Sequence, residues 1–120
     1  MIQNDPITVV EMDSFIAAAR KLMDDEERDE LVAYLAFNPT AGVVVPGTGG
    51  IRKLRWALEG RGKRGGARVI YFFHGRDIPL YLFDAYAKNE KTDLSKAERN
   101  RLYFVTKQIV EAHKRGGPGK

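Results

Sequence analysis

Four basic residues are spaced so that they could meet on one face of a small β-sheet: Lys53, Arg55, Arg68 and Lys88. Lys53 and Arg55 lie two positions apart in a segment with strand-like alternation, so their side chains share a face. If the segments that hold Arg68 and Lys88 pair alongside, the four cations converge, and converged cations are typical ligands of phosphate groups. In the alternative interpretation, each cation lies along the surface or pairs with a nearby acid. The acids available are Asp84, Glu90 and Asp93.

Charge is segregated along the chain. Residues 1–50 hold three Lys or Arg and nine Asp or Glu, a net −6, whereas residues 51–76 hold eight basic residues against Glu59, a net +7. The remaining residues add +3, which gives +4 overall. A basic segment of this density creates a local potential that attracts polyanions, nucleic acid above all. A solvated charge run near a turn would show the same composition.

Further candidate contacts to a nucleic acid surround these cations: Arg52, Lys63, Arg64, Tyr71 and Tyr86. The glycine-rich segment 60–66 predicts a flexible hairpin tip that lets backbone approach a phosphate chain, with Lys63 and Arg64 adding charge. The two tyrosines could stack on a base or bond a phosphate, or could be core aromatics. The glycine spacing also matches a dinucleotide fingerprint, but that motif needs a helix to follow and here a strand follows.

Composition argues against several other classes of protein. We expect one domain over residues 1–115, followed by a disordered tail at 116–120. No cysteine is present, and neither His74 nor His113 has a sequence partner for catalysis or metal binding, so no metal or cofactor is expected. No apolar run approaches a membrane span and no secretory signal is evident, so we expect a cytoplasmic protein.

Hydrophobic periodicity predicts an α+β fold in the order strand, two helices, three strands, helix. The strands are expected at 7–11, 51–58, 68–73 and 78–83, forming a sheet of about four strands. Capping boxes at Asp24 with Glu27 and at Ser95 with Glu98 predict the starts of the second and third helices. The two N-terminal helices and the C-terminal helix should pack on the sheet.

Three blocks of sequence resemble the HigB branch of the RelE/ParE toxin superfamily. They are GTGGIRKLR at 47–55, GKRGGARVIY at 62–71 and YAKNEKTDLS at 86–95. The resemblance covers residues 31–112 well and the first thirty more loosely. Because the blocks occur in the right order and at the right spacing, the resemblance is far more specific than any single motif.

The resemblance implies the toxin of a type II toxin–antitoxin system, a ribosome-dependent, metal-independent mRNA endonuclease that inhibits translation. Its partners would be mRNA in the A site of the 30S ribosomal subunit and a HigA-like antitoxin with a helix-turn-helix domain, with no membrane involved. The implied fold is a RelE-like sheet of the microbial-RNase type with helices on one side. Lys53, Arg68 and Lys88 match the family's basic positions. Members of the RelE branch carry a second lysine where this chain has Ile51, and Arg55 could take its place.

Cleavage of RNA by its own 2′-hydroxyl requires a base for that proton, positive charge for the phosphorane and an acid for the leaving 5′-oxygen. Lys53 or Lys88 could act as the base, because neighbouring cations favour a neutral lysine. Arg68 keeps its proton and suits bidentate phosphate binding. We expect Arg68 on a charged surface, where replacement by alanine would leave the fold intact.

Two other functions remain open at the level of sequence. A ParE-like inhibitor of DNA gyrase would share the fold, but an inhibitor that binds a protein has no need of converged phosphate ligands. A non-catalytic RNA-binding module would use the same cations and tyrosines, and would bind RNA without cleaving it.

Overall fold

The computed structural model describes residues 5–58, 66–91 and 93–115, and its order of elements agrees with the predicted α+β fold. The elements are β1 (Val9–Glu11), α1 (Asp13–Leu22), α2 (Asp25–Phe37), β2 (Val43–Val44), β3 (Ile51–Trp56), β4 (Ala67–Phe72), β5 (Leu80–Ala87) and α3 (Lys96–Arg115). The predicted disordered tail and most of the predicted hairpin tip lie outside the described residues. None of the helices in the described ranges is both long and apolar enough to cross a membrane.

The sheet has the strand order β1-β5-β4-β3-β2. Strands β2 to β5 form an antiparallel meander, and β1 pairs with β5 in parallel. The strand count is five rather than about four, because Val43–Val44 pairs with Lys53 and Arg52 at the edge. A strand of two residues is too short to show alternation, which is why the sequence did not reveal it.

Helices cover both faces of the sheet, which corrects the expectation of helices on one side. One cluster packs α1 and α2, through Phe15 and Leu31, against Val69 and Leu82 among others. A second cluster packs Leu102, Val105 and Ile109 of α3 against the other face. The middle strand β4 carries apolar side chains on both faces, Val69 on one and Ile70 and Phe72 on the other, so both faces of the sheet need cover.

Both predicted capping boxes are confirmed. At the start of α2, the Glu27 amide donates to Asp24 Oδ1 at 2.8 Å, and the Asp24 amide donates to Glu27 Oε1 at 3.1 Å. Before α3, the Glu98 amide donates to Ser95 Oγ at 3.1 Å, and the Ser95 amide donates to Glu98 Oε1 at 2.7 Å. These local hydrogen bonds satisfy amides that a helix start leaves without partners, so the sequence alone could locate them.

A bulge in β5 changes which side chains face α3. The register with β4 shifts between Ile70 and Tyr71, and both Phe83 and Asp84 lie on the α3 side of the sheet. Strict alternation from Phe83 would have placed Ala85 on that side. The extra residue places Tyr86 there instead, directly beside Arg68 of β4.

Gly66 lets β3 and β4 approach each other where β4 begins. Its φ is +64°, and a Cβ at this position would lie 2.4 Å from the Trp56 carbonyl oxygen. Any other residue would therefore be strained and would clash with the backbone of β3. Among the glycines of the segment 60–66, Gly66 is therefore required by the packing of the strands, apart from the predicted approach of backbone to phosphate.

Tyr71 is a structural residue on the face covered by α1 and α2. Its side chain is 0% exposed, and its hydroxyl donates to the Pro39 carbonyl and accepts from the Gly42 amide, both at 2.8 Å. Burial raises the pKa of this phenol. The predicted contact between Tyr71 and RNA is therefore wrong for the folded protein, because the ring ties the connection between α2 and β2 to the core.

Tyr71→Phe should lower the free energy of unfolding by about 1–3 kcal/mol, because the buried Gly42 amide would lose its acceptor. Urea denaturation followed by circular dichroism measures this change, with Tyr103→Phe on the exposed side of α3 as the matched control. The RNA affinity of the folded Tyr71→Phe protein should equal that of the wild type. Weaker RNA binding at unchanged stability would contradict the structural role.

Candidate active site

All four predicted catalytic cations line one cleft. Lys53 and Arg55 come from β3, Arg68 comes from β4, and Lys88 follows the last residue of β5. The cleft has a volume of about 520 Å³ and is completed by Ala41, Val43 and Leu54. The Lys88 amide donates to the Gly66 carbonyl at 3.2 Å, which continues the strand pairing and holds Lys88 at the cleft. Three separate stretches of sequence thus bring their cations to one space.

The register of the sheet sets three polar side chains in a row. Arg55 pairs with Arg68 across β3 and β4, and Arg68 pairs with Tyr86 across β4 and β5. Directly opposed residues have Cβ atoms roughly 4.5–5.5 Å apart. Opposed positions on neighbouring strands let the two guanidinium groups reach the same anion, so the pair is suited to a phosphate.

Arg68 is the most enclosed of the four cations. It is 6% exposed, and its Nη1 donates weakly to the Ala67 carbonyl at 3.5 Å. The expectation of an exposed surface position is therefore wrong, and alanine at this position would leave a cavity as well as remove a charge. A guanidinium keeps its proton when buried and interacts more strongly with an anion where water is scarce. Arg68 is thus placed to bind a phosphate bidentately.

Lys53 forms an ion pair across the mouth of the cleft. Its Nζ lies 3.1 Å from Asp93 Oδ1, and the side chains are 30% and 58% exposed. Asp93 Oδ1 also accepts from the Leu94 amide at 2.8 Å. That backbone hydrogen bond, followed by the bond from Lys53, lowers the pKa of Asp93. For Lys53, convergence and pairing with a nearby acid both occur.

Tyr86 places a phenol beside the cations. It is 7% exposed, and its hydroxyl is buried with no hydrogen-bond partner among the described residues. Burial, then Asp93, raises the pKa of Tyr86, so the phenol keeps its proton. An unpaired buried hydroxyl costs free energy, which a bound phosphate oxygen would recover by accepting its hydrogen bond. Its position suits the predicted role in RNA binding.

Contacts of charged side chains hold the segment that follows β5 beside the cleft. The Lys91 ammonium lies 5.0 Å from the centre of the Tyr86 ring and forms an ion pair with Glu98 of α3. The bond from Lys91 lowers the pKa of Glu98. Together with the pair between Lys53 and Asp93, these contacts connect the segment to both β3 and α3.

The remaining predicted RNA contacts are not gathered at this cleft. Arg52 points to the opposite face, where its Nη1 donates to the Gly42 carbonyl at 2.7 Å and the Thr40 carbonyl at 3.3 Å. Its assignment as an RNA contact is therefore not supported, and alternation was sufficient to show this, since Arg52 adjoins Lys53 in the same strand. Lys63 and Arg64 lie outside the described residues. The sequence indicated Asp93 only as a possible partner of a cation, and it gave no signal for Ala41 or Val43.

Comparison with protein families gives a match that covers most of the cleft. A family model described as the RelE toxin of the RelE/RelB toxin–antitoxin system matches residues 45–116. The match spans more than half of the chain and includes every residue of the cleft except Ala41 and Val43.

Single-stranded RNA should bind the cleft with a strong dependence on salt. Arg55→Gln should weaken binding and reduce the slope of log K against log salt by about 0.7, the value for one phosphate contact on a single strand. Fluorescence anisotropy of a labelled, non-cleavable oligonucleotide at several salt concentrations measures the slope. Lys21→Gln, which removes one charge from α1 on the opposite face, should leave the slope unchanged.

Acid should weaken the tie between Lys91 and Glu98. The folded-state pKa of Glu98 lies below its usual value of 4.5, so the stabilisation is present above pH 4.5 and is lost as the pH falls through the lowered pKa. Glu98→Gln should therefore lower the melting temperature at pH 7, with a loss of at most about 1 kcal/mol for a pair whose side chains are 31% and 27% exposed. Melting curves from pH 7 to pH 3 should show the difference shrinking towards acid, and a constant difference would contradict the assignment.

Proposed function

The chain belongs to the RelE toxin family, and we propose that it is a HigB-type, ribosome-dependent mRNA endonuclease. Membership makes it the toxin of a toxin–antitoxin system with an antitoxin partner, and toxins of this family are typically endoribonucleases. The observation that carries the proposal is the convergence of four cations on one cleft, with a buried phenol beside Arg68. A single phosphodiester with its flanking nucleotides is the ligand that such a cleft suits best.

The geometry supports a division of roles for cleavage by the 2′-hydroxyl. Arg68 and Arg55 bind the non-bridging phosphate oxygens, where negative charge grows in the transition state. The Tyr86 phenol donates a hydrogen bond to the same group. The two lysines transfer protons: one takes the proton of the 2′-hydroxyl, and the other protonates the leaving 5′-oxygen.

The groups in this cleft are poor catalysts of proton transfer by themselves, and dependence on the ribosome follows from that. The described part of the cleft contains no histidine, the side chain that ordinarily exchanges protons near neutral pH, so proton transfer relies on lysines. A large part of the barrier must then be lowered by holding the 2′-oxygen in line with the phosphorus, and a message fixed in the A site meets that condition. The proposal places the protein in the cytoplasm with translating ribosomes.

The HigB assignment rests on the three sequence blocks, which include Lys53, Arg68, Lys88 and Asp93. We extend it to a HigA-like antitoxin with a helix-turn-helix domain. Such an antitoxin would neutralise the toxin by covering the cleft or by competing for its cations.

Mapping of mRNA 5′ ends after brief induction in a bacterium tests the proposal. Wild-type protein should create new ends inside translated reading frames, and these ends should disappear when translation is blocked. Arg68→Lys should reduce them by about 10²–10³-fold, because it keeps a charge near the phosphate but loses the bidentate fork. Lysine is preferred to alanine here, because the site is buried and alanine would create a cavity.

Arg20→Lys makes the same chemical change at an exposed position of α1 and should cleave like wild type. Melting temperatures of all three proteins show whether each is folded. Growth arrest without new 5′ ends would overturn the proposal in favour of a ParE-like target such as gyrase. Salt-sensitive RNA binding with neither arrest nor new ends would favour a non-catalytic binding module.

A further inference from the structure

Asp93 is held at the mouth of the cleft by a backbone hydrogen bond. Its Oδ1 accepts from the Leu94 amide at 2.8 Å, and Leu94 is 5% exposed within the cluster that packs α3 on the sheet. The Leu94 carbonyl in turn accepts from Arg99 Nη1 at 2.8 Å. The carboxylate that meets Lys53 at 3.1 Å comes from 40 residues further along the chain, and the backbone that leads into α3 holds it there.

The electrostatic surroundings of Lys53 are otherwise positive. Arg55 shares its strand face, Arg68 faces the cleft from β4, Lys88 follows β5, and Arg99 lies with Asp93 in the adjoining groove. Among the described residues that line the cleft and this groove, Asp93 supplies the one carboxylate, and it is the counter-charge that Lys53 contacts.

We propose that Asp93 is a positioning residue that keeps Lys53 as an ammonium ion, so that Lys53 protonates the leaving 5′-oxygen while Lys88 takes the proton of the 2′-hydroxyl. The inference rests on the proposed endonuclease function and deepens it. Arginines do not give up a proton at physiological pH, which leaves the two lysines for proton transfer. Lys88 is exposed and forms no ion pair with a described residue, so no carboxylate holds it and we assign it the role of base.

The assigned step balances. Neutral Lys88 removes the 2′-hydroxyl proton and becomes an ammonium ion, while the 2′-oxygen forms a bond to phosphorus. The bond between phosphorus and the 5′-oxygen breaks, and the Lys53 ammonium gives its proton to that oxygen. The products are a 2′,3′-cyclic phosphate and a 5′-hydroxyl, and proton exchange with water restores both lysines.

The state of Lys53 can be measured without any catalysis. Trace labelling with acetic anhydride, read by mass spectrometry, modifies only neutral amines. In Asp93→Asn, the Lys53 labelling rate at fixed pH should rise about two- to fivefold, as expected for loss of a half-exposed ion pair. The asparagine oxygen can still accept from the Leu94 amide, so the start of α3 is retained.

Glu90→Gln is the matched control, because it removes one negative charge from an exposed position of the same segment. Its Lys53 labelling should equal that of wild type. The pH dependence of labelling should move to lower pH in Asp93→Asn alone, which a mere change of exposure would not cause. Unchanged Lys53 labelling in Asp93→Asn overturns the inference, whatever the cleavage assays show.

A modified substrate tests the acid role of Lys53. In a ribosome-bound mRNA with sulfur in place of the bridging 5′-oxygen at the cleavage position, the leaving group departs without protonation. Lys53→Met should slow the oxygen substrate by about 10²–10⁴-fold and leave the sulfur substrate nearly unaffected. Lys88→Met should slow both substrates, because the 2′-hydroxyl must lose its proton in each.

Asp93→Asn should move the alkaline limb of the pH–rate profile to lower pH on the oxygen substrate only. The assignment of acid and base is overturned if Lys53→Met cleaves neither substrate. It is also overturned if the sulfur substrate restores cleavage by Lys88→Met. If wild-type protein cleaves neither substrate, the endonuclease proposal fails and the assignment of proton-transfer roles fails with it. The labelling result alone then decides whether Asp93 holds Lys53 in the charged form.

Discussion

Side-chain alternation across three paired strands is the constraint on which the cleft depends. Lys53 and Arg55 share a face because they are two residues apart, and the register with β4 sets Arg55 opposite Arg68. Tyr86 reaches the same face because β5 carries a bulge, which reverses the alternation after Phe83. A shift of one residue in any of these strands would send its polar side chain into the core under α1 and α2.

The same sheet face serves both stability and chemistry. Its apolar part, including Ile70 and Phe72, is covered by α3, while the neighbouring residues of the same strands turn cations to the cleft. The opposite face is covered by α1 and α2, which belong to the acidic part of the sequence. Acidic helices on one side and a basic cleft on the other give the molecule a polarity that directs a polyanion to the cleft.

Bringing several cations together at the cleft costs free energy. Two acidic side chains reduce this cost. Asp93 meets Lys53 at the mouth of the cleft, and Glu98 meets Lys91 beside Tyr86. Glu98 lies in the first turn of α3 and also serves its capping box, and Asp93 lies in the connection just before α3. α3 and the residues that lead into it therefore supply the counter-charges for the polar half of the face, which links the integrity of α3 to the electrostatics of the site.

The sequence by itself determined what depends on neighbours along the chain: both capping boxes, the alternation of β3, the cations of the cleft and the blocks that indicate the family. Only the tertiary structure decided that Tyr71 is a core residue and that Tyr86, on the adjacent strand, lies beside the cations. Burial and the bulge both depend on how the strands pair. The tertiary structure also decided the enclosure of Arg68, the edge strand at Val43–Val44 and the placement of α3 on the second face. Periodicity records which residues share a face, whereas register and cover depend on contacts between residues far apart in sequence.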